Sequence, residues 1–373
     1  MKGSNRIKRV VLFLLTMMVT TSYANTNLPS DTRATKETKA LFKNMMKLSS
    51  KGTMIGHQDA LSYGIGWFAD SKRCDMKDVC GSYPAVMGWD IGHLELGQPL
   101  NLDSVAFDAM KNNIIKAYNA GAISTISWHA RNPLTGSDAW DISSDQVVKS
   151  VLPGGSRHIL FNQWLDRVAS FMLSLKGKKG ELIPIIFRPY HELSGSWFWW
   201  GKKLCTKDEY ISLWRYTASY LRSKGVHNML LAYSMADYTN ETEFTDRYPG
   251  DEYVDLVGFD SYQNASDITG SAFKAEVTLR SSIASKFAQK HAKLFAVTEA
   301  GYESIPDSTW FTNVLAPLVK GTNASFVLLW RNAFNRKNHF YMAYPGHSSA
   351  KDFVKMVNDP AIFTSSEIGK VYK

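Results

Sequence analysis

A two-part pattern recurs along the chain, in which a short apolar run is followed by a longer amphipathic one. There are eight short runs, at 53–55, 85–89, 123–128, 182–187, 229–233, 254–259, 293–297 and 325–330. Runs of this length and composition are typical of parallel strands that are buried on both faces. The longer stretches have the apolar spacing of helices, and they include 105–118, 158–175, 207–223, 272–290 and 308–318.

Eight strand-helix units in succession favour an α/β fold, the (β/α)8 or TIM barrel, with eight parallel strands inside and helices outside. The competing architecture is a doubly wound open sheet, which in its dinucleotide-binding form has a glycine-rich loop after a strand. No such loop follows any of the eight runs. Because no linker or low-complexity tract divides the sequence, we predict a single (β/α)8 domain over residues 37–373.

The first 24 residues have the pattern of an export signal. Four basic residues precede an apolar core at 10–19, and Ser22 and Ala24 provide the small side chains of a cleavage position. The core is short for a membrane anchor. We therefore expect cleavage after Ala24 and a periplasmic or secreted protein without a membrane span. A flexible leader is expected at 25–36, where the sequence is polar and aperiodic.

Charge and cysteine content exclude several classes of protein. The formal charge of +9 falls to +5 once the basic residues of the signal are removed, and the remaining Lys and Arg are scattered. Without a basic stripe or a nucleic-acid motif, no nucleic acid partner is expected. The three cysteines lack the C-x-x-C spacing of a zinc site. In an exported protein, Cys74 and Cys80 are candidates for a disulfide bond, which leaves Cys205 unpaired.

In a (β/α)8 barrel, the chemistry takes place on the face where the strands end. The residues that follow the predicted strands are polar and chemically reactive, unlike the Lys, Ser, Thr and Asn of a merely soluble rim. They include His57, Asp90, His93, His129, Arg188, His191, Glu192, Asp260, Tyr262, Glu299 and Arg331. This collection predicts a functional site at the mouth of the barrel.

Glu192 and Glu299 end the fourth and seventh predicted strands, and together they can carry a reaction. Two carboxyl groups about 5 Å apart suit a retaining glycoside hydrolase, in which one is the nucleophile and the other the acid and then the base. Poor solvation beside His191 and Trp197 would raise the pKa of Glu192, as a proton donor requires. The structural alternatives are an ion pair of Glu192 with Arg188, and an N-cap or surface position for Glu299.

Four of the histidines that follow strands invite a comparison with metal sites: His57, His93, His129 and His191. None of them has the H-x-x-x-H spacing of a helical metal site. Imidazole groups also hydrogen-bond sugar hydroxyls and orient carboxylates. We predict hydrogen bonding rather than metal ligation.

The chain resembles glycoside hydrolase family 26 in the order of its motifs. They are RPYHE at 188–192 with Trp197 and WWG at 199–201, GFDSY at 258–262, TEAG at 298–301 and WRN at 330–332. The resemblance spans essentially the mature chain. It implies a retaining (β/α)8 hydrolase of the endo-β-1,4-mannanase type that uses no metal and no organic cofactor. The implied partners are β-mannan or manno-oligosaccharides, and we expect a monomer.

The resemblance also implies roles for individual residues. Glu192 corresponds to the acid/base and Glu299 to the nucleophile, with the Tyr262 hydroxyl in contact with the nucleophile. The implied substrate contacts are His129, His191, Trp197, Tyr262, Trp330 and Arg331. The supporting residues are Arg188, Asp260, Asp90 and His93. This mixture suits a glycan, because sugar rings lie against aromatic faces while their hydroxyls need fixed donors and acceptors.

Two other functions stay open. Some members of the family cut β-1,3/1,4-glucan or β-1,3-xylan, so the polymer is not fixed by the motifs. A glycan-binding barrel without activity would also line its groove with aromatic side chains. The two glutamates favour an enzyme, because binding alone needs neither an acid nor a nucleophile. Cleavage within chains or from an end depends on the loops, above all on the insertion at 67–83.

Overall fold

Eight parallel strands close into a barrel in the computed structural model, which describes residues 28–373. The strands are β1 Thr53–Gln58, β2 Val86–Asp90, β3 Ile123–Trp128, β4 Ile185–Pro189, β5 Met229–Met235, β6 Leu256–Gln263, β7 Leu294–Tyr302 and β8 Phe326–Leu329. Strands that follow each other in sequence pair with each other, and β8 pairs with β1. The predicted fold and all eight predicted strands are confirmed. The predicted export signal lies outside the described residues.

Helices surround the barrel in the described part of the chain. They are α1 Lys36–Ser49, α2 Asp75–Cys80, α3 Phe107–Asn119, α4 Val147–Val151, α5 His158–Ser174, α6 Lys207–Ser223, α7 Glu241–Thr245, α8 Ser271–Lys290, α9 Ala316–Val319 and α10 Ala350–Val357. The short strands Tyr63–Gly64 and Trp67–Phe68 form a hairpin after β1, and Ile362–Phe363 pairs with β1. Among these helices, none combines the length and apolarity that a membrane crossing requires.

The last predicted helix, at 308–318, is only partly α-helical. Phe311–Leu315 forms a π-helical turn, and α9 follows it directly. Pro317 lies in α9 and has no N–H, so the regular α-helical bond to the carbonyl of Asn313 cannot form there. A π-helical turn accommodates such a missing bond.

The two ends of the barrel differ in polarity. Each strand directs an apolar side chain into the lower interior, and these residues are Met54, Val86, Ile123, Ile186, Leu230, Leu256, Leu294 and Phe326. Helix α1 contacts β1, β5 and β7, and its residues Leu41, Phe42 and Met45 belong to the same apolar cluster. The N-terminal end of the barrel is therefore sealed, which leaves the C-terminal mouth for polar groups.

Residues 28–35, which belong to the predicted flexible leader, form hydrogen bonds with the barrel. The N–H of Ser30 donates to the buried carboxylate of Asp255. The carboxylate of Asp31 is 2.7 Å from Nδ1 of His227. Hydrogen bonds rather than apolar contacts hold this segment against the barrel, which explains why its polar composition suggested a free chain.

The cysteine pairing proposed from the sequence is wrong, because all three cysteines are free. Cys74 immediately precedes α2, and Cys80 is the last residue of that helix. Six residues of helix span about 9 Å along the axis. A disulfide bond requires the two Cα atoms to lie within about 7 Å. The helix between the two cysteines therefore keeps them apart.

Phe42→Ala tests the role of α1 as the seal of the barrel. Phe42 is 1% exposed, so we expect the free energy of unfolding to fall by about 3–5 kcal/mol, as for other buried Phe→Ala changes. Urea denaturation followed by tryptophan fluorescence measures this value. Lys43→Ala, at the exposed position next to it, is the control and should change stability by less than about 0.5 kcal/mol. Equal effects of the two substitutions would contradict the packing described for α1.

Candidate active site

A cleft of about 240 Å³ opens at the C-terminal mouth of the barrel. Its lining consists of His129, Trp140, His191, Glu192, Trp197, Phe198, Tyr262, Glu299, Trp330 and Tyr341. Both predicted catalytic glutamates belong to this lining, together with five of the six predicted substrate contacts. The sequence analysis did not single out Trp140, Phe198 and Tyr341. The topology thus brings residues from distant parts of the chain to one surface.

Beneath the cleft, Arg188 of β4 joins two carboxylates. Arg188 is 1% exposed, and its guanidinium donates to Asp260 at 2.8 Å and to Glu299. The hydroxyl of Tyr262 donates to the second oxygen of Glu299 at 2.6 Å. Arg188 therefore pairs with Asp260 and Glu299, and the alternative of an Arg188–Glu192 ion pair is wrong.

Glu299 reaches the mouth because β7 contains a β-bulge. Phe259 of β6 is paired with Val297, and the next residue, Asp260, is paired with Glu299, so Thr298 is an extra residue. The pairing with β8 shifts by one residue at the same place. Val297 packs among the residues between barrel and helices, and strict alternation would direct Glu299 to that side as well. The bulge turns Glu299 into the barrel.

Glu192 lies in a strained loop directly after β4. Tyr190 and Glu192 have φ angles of 49° and 54°, in the left-handed region that side chains other than glycine seldom adopt. Such residues cost about 1–3 kcal/mol each and persist where their surroundings hold them. The N–H of Glu192 donates to the carbonyl of Ser234 at 2.9 Å, and Trp197 Nε1 donates to the Glu192 carboxylate at 2.6 Å. These contacts direct the carboxyl group into the cleft.

The two glutamates have different proton affinities. Burial, and then the charges of Asp260 and Glu299, raise the pKa of Glu192 to about 8. Burial and Asp260 also raise the pKa of Glu299, to about 7, but Arg188 and Tyr262 oppose this rise. Glu299 is therefore the first of the two to ionise, while Glu192 keeps its proton to higher pH. Perturbed carboxyl groups of this kind are typical of functional sites.

A second network extends from Asp90 to the cleft through two histidines. The Asp90 carboxylate accepts from Ser127 and lies 2.6 Å from Nδ1 of His129. Burial alone would lower the pKa of His129, but the Asp90 carboxylate raises this pKa above its ordinary value. Burial, Arg188 and His129 hold the pKa of His191 well below its ordinary value. Nε2 of His129 lies 3.2 Å from Nε2 of His191, so the two rings share a hydrogen bond.

The remaining predicted residues lie outside the cleft. Arg331 follows Trp330 and forms an ion pair with Asp103, with an N–O distance of 2.8 Å. His93 adopts a left-handed backbone with a φ of 81° and precedes a short 3₁₀ turn. His57 is buried, and neither ring nitrogen has a hydrogen-bond partner within residues 28–373. The structure therefore brings only His129 and His191 together among the four histidines at strand ends.

One group of side chains has the spacing of a metal site. Potential ligand atoms of His191, Asp260 and Glu299 lie within 4.8 Å of one another. Arg188, however, donates hydrogen bonds to both of these carboxylates. A cation is thus already provided by the protein, and the donor set does not call for a metal ion.

A larger cavity, of about 360 Å³, lies beside the loop that follows Glu192. Its charged residues are Lys202, Arg247, Arg280, Asp237, Glu243 and Asp246. Several of them serve the local structure: Glu243 accepts from Thr239 before α7, and Arg247 donates to the carbonyl groups of Lys202 and Cys205. The raised carboxyl pKa values occur instead in the smaller cleft. We therefore identify the smaller cleft as the candidate active site.

Comparisons with known proteins match the chain to one family and to relatives named as mannanases. The profile described as "Glycosyl hydrolase family 26" matches residues 30–339. A protein of Bifidobacterium adolescentis, "Mannan endo-1,4-beta-mannosidase", is 35% identical over 348 residues, which are 87% of this chain and 34% of that protein. The present chain thus spans about a third of the length of that relative.

Two solved structures share the fold over their catalytic regions. A family 26 β-mannanase of Bacteroides ovatus has a TM-score of 0.88 and 46% sequence identity, and the match covers 91% of this chain and 98% of that one. A modular endo-β-1,4-mannanase of Cellulomonas fimi has a TM-score of 0.84 and 33% identity, with 93% of this chain and 79% of that one covered. Both structures therefore share the fold of the present chain over most of its length.

Glu192→Gln tests the cost of burying this carboxyl group. The pKa of about 8 in the folded protein exceeds the value of about 4.3 for an unfolded chain. The folded state thus binds more protons, and its stability falls as pH rises between these values. Since glutamine has no such dependence, the stability of the variant relative to the unmodified protein should rise by about 3–4 kcal/mol between pH 5 and pH 8.

The measurement is denaturant unfolding at both pH values. Glu252→Gln, at an exposed position, is the control and should show no such pH-dependent gain. A Glu192→Gln variant whose stability relative to the unmodified protein is the same at both pH values would contradict the raised pKa.

Proposed function

This chain belongs to glycosyl hydrolase family 26, and on that premise we propose that it hydrolyses the β-1,4-mannosidic bonds of mannan, galactomannan, glucomannan or their oligosaccharides. The single observation that carries the proposal is the pair of glutamates in one cleft with different environments. Glu299 is held by a guanidinium and a phenol, whereas Glu192 accepts one indole N–H. Such a difference is what assigns one carboxyl group as nucleophile and the other as acid.

The reaction has two displacements. In the first, a carboxylate oxygen of Glu299 forms a bond to the anomeric carbon while the bond to the departing oxygen breaks. Glu192 transfers its proton to that oxygen. In the second, the ionised Glu192 takes a proton from water, whose oxygen attacks the same carbon and releases Glu299. The second inversion restores the original anomeric configuration.

Arg188 and Tyr262 prepare Glu299 for the attack. Both donate hydrogen bonds to its carboxylate, and donors to a charged group favour that charged form. They also fix the orientation of the carboxylate, because the two oxygens have different partners. Asp260 completes the arrangement, since it accepts from Arg188 and from Thr298 and thereby holds the guanidinium in place.

The walls of the cleft suit a sugar chain. Trp140 and Trp197 are 48% and 43% exposed, so their faces are available for sugar rings. The ring of His129 stacks against Trp140, with 5.2 Å between ring centroids. The carboxyl groups of Glu192 and Glu299 beside these aromatic faces provide the combination of polar and apolar contacts that binds a pyranose. The relatives named as mannanases support mannan as the polymer.

We also propose export, followed by action in the periplasm or outside the cell as a monomer. The support is the sequence pattern of residues 1–24, in which a basic start precedes an apolar core and a small-residue cleavage position. N-terminal sequencing of the protein recovered from the cell envelope or the medium should begin at Asn25. Recovery of the intact N-terminus would contradict this proposal.

Release of reducing sugars tests the activity. We expect products from β-1,4-mannan, and little or none from β-1,3/1,4-glucan and β-1,3-xylan at equal concentration. If activity is confined to one of the other polymers, that polymer replaces mannan as the proposed substrate. Binding to mannan without release of any product would show a glycan-binding protein instead of an enzyme.

Substitution of the two glutamates separates their roles. Glu299→Ala removes the nucleophile, so hydrolysis of every β-mannoside should fall by at least about 10⁴-fold. Glu192→Ala removes the acid, so hydrolysis of mannan should fall by roughly 10²- to 10⁴-fold. The first step on an aryl mannoside with an activated leaving group should be spared, because that group departs without a proton. Equal loss of Glu192→Ala activity on both kinds of substrate would contradict the assignment.

The pH dependence of kcat/KM should be bell-shaped. Activity falls on the acid side as Glu299, with its pKa of about 7, becomes protonated. It falls on the alkaline side as Glu192, with its pKa of about 8, loses the proton that the leaving group needs. In Glu192→Gln, measured with an activated aryl mannoside, the alkaline fall should disappear while the acid fall persists. Persistence of both falls would argue against Glu192 as the acid.

A further inference from the structure

The two displacements leave one aromatic residue of the cleft without a role. Tyr341 lies in the loop that follows β8, is 9% exposed, and lines the cleft together with Tyr262 and Glu299. Within residues 28–373, its hydroxyl has no hydrogen-bond partner in the protein. The ring, by contrast, packs against other aromatic rings. Any role of Tyr341 inside the protein therefore belongs to its ring.

Gly301 of β7 leaves the space that this ring fills. Gly301 is the register partner of Tyr262 in the pairing of β6 with β7, and such partners direct their side chains to the same face of a sheet. A Cβ atom at Gly301 would clash with Cδ1 of Tyr341 and lie 3.0 Å from its Cγ. The backbone of Gly301 is not left-handed, so glycine is needed here for space. The ring of Tyr341 thus takes the place of a side chain beside Tyr262.

The ring of Tyr341 also packs directly against the phenol of Tyr262. The two ring centroids lie 5.6 Å apart and the ring planes meet at 68°, an edge-to-face arrangement. The Tyr262 hydroxyl donates to Glu299 at 2.6 Å. Because this hydroxyl is at the far end of a rigid ring, a small rotation about χ1 carries it out of hydrogen-bond distance. The packing of Tyr341 limits that rotation.

A buried asparagine holds the backbone of Tyr341 in place. The side-chain oxygen of Asn332 accepts from the N–H groups of Tyr341 and Met342, at 3.0 Å and 2.9 Å. Its amide donates to the carbonyl of Met342 and to the carboxylate of Asp75. Asn332 is fully buried, so a shift of this segment would leave polar groups without partners. The ring is therefore a fixed support.

The charges around Glu299 do not depend on Tyr341. The groups that act on the pKa of Glu299 are Asp260, Arg188, Tyr262 and His129, and Glu192 lies in the same cleft. Of these groups, it is Tyr262 whose ring packs against Tyr341. On another side, Tyr341 contacts His339, which lies 2.7 Å from the carboxylate of Glu303. Burial raises the pKa of the Tyr341 hydroxyl above its ordinary value, so its removal takes away no charge at neutral pH.

We propose that Tyr341 is a positioning residue of this hydrolase, whose ring fills the space beside Gly301 and holds the phenol of Tyr262 against the nucleophile Glu299. The inference rests on the proposed function and adds to it a residue that acts through another one. Without the ring, Tyr262 is free to rotate away, and Glu299 keeps the guanidinium but loses the phenol. The carboxylate is then less well oriented for attack, and it ionises at a higher pH.

Hydrolysis of dinitrophenyl β-mannoside tests this role, because its leaving group departs without a proton. In Tyr341→Ala, kcat/KM should fall by roughly 10- to 100-fold, the size expected for a hydrogen bond to a charged group. The acid-side fall of the pH profile should move to higher pH. Tyr341→Phe keeps the ring and should restore most of the activity and the original profile. Tyr344→Ala, in the same loop but packed against Phe340 and His347, is the matched control and should leave the profile unchanged.

A double-mutant cycle with Tyr262→Phe shows whether Tyr341 acts through the phenol. In that background Tyr341→Ala should cost less than about threefold, because no hydroxyl is left to position. Thermal unfolding of each variant confirms that the compared proteins are folded. Tyr341→Leu, which keeps more apolar volume, replaces the alanine variant in the cycle if that variant unfolds.

Three results would overturn the role of Tyr341. They are losses that multiply in the double variant, an acid-side fall that does not move in Tyr341→Ala, and a Tyr341→Phe variant as slow as Tyr341→Ala. The last result would show that the Tyr341 hydroxyl contacts the substrate directly. Failure of the unmodified protein to cleave both the aryl mannoside and mannan would instead overturn the proposed function.

Discussion

The buried guanidinium of Arg188 is the interaction on which the mouth of the barrel depends. Moving a charge of this size out of water costs several kcal/mol unless partners surround it. Asp260 and Glu299 compensate the charge, and Ser234 and Thr298 satisfy the remaining oxygen of Asp260. These residues come from β4, β5, β6 and β7. The charge of one side chain therefore fixes the relative positions of four strand ends, including the one that carries Glu299.

The same interaction separates the behaviour of the two glutamates. Glu299 shares the guanidinium and a phenol, which favour its ionised form. Glu192 accepts a hydrogen bond from neither group. Burial, and then the negative charges of Asp260 and Glu299, raise its pKa further than that of Glu299. Neither glutamate is special as a residue type. Their difference arises from their partners, which are a guanidinium and a phenol for Glu299 and one indole N–H for Glu192.

The sequence was sufficient to predict the barrel because each strand and helix has its own local pattern. The strand ends could be located for the same reason, and this led to both glutamates. The bulge at Thr298 could not be foreseen, since alternation along β7 alone directs Glu299 toward the helices. Four tryptophans near strand ends, Trp89, Trp128, Trp199 and Trp200, turned out to be fully buried. Whether an aromatic ring faces a cleft or a helix depends on loop paths that no local pattern encodes.

Long-range electrostatics was the other feature beyond sequence reasoning. Asp103 and Arg331 are 228 positions apart, and no motif links the loop after β2 with the end of β8. The leader shows the same limitation, because its polar residues form hydrogen bonds with Asp255 and His227 on distant loops. Composition identifies a segment that lacks apolar anchors, but it contains no information about polar partners that only folding brings near.

Two arginines that follow or end strands of the barrel obey one electrostatic rule. Each guanidinium lies among more carboxyl groups than it can neutralise: Arg188 near Asp260, Glu299 and Glu192, and Arg331 near Asp103 and Asp59. Burial, and then the neighbouring negative charges, favour protonation of one carboxyl group beside each arginine. The groups without a direct bond to the cation, Glu192 and Asp59, have the pKa values of about 8. At the β4 side that retained proton is the one the leaving group receives. At the β8 side it keeps Asp59 neutral, and Arg331 pairs with Asp103.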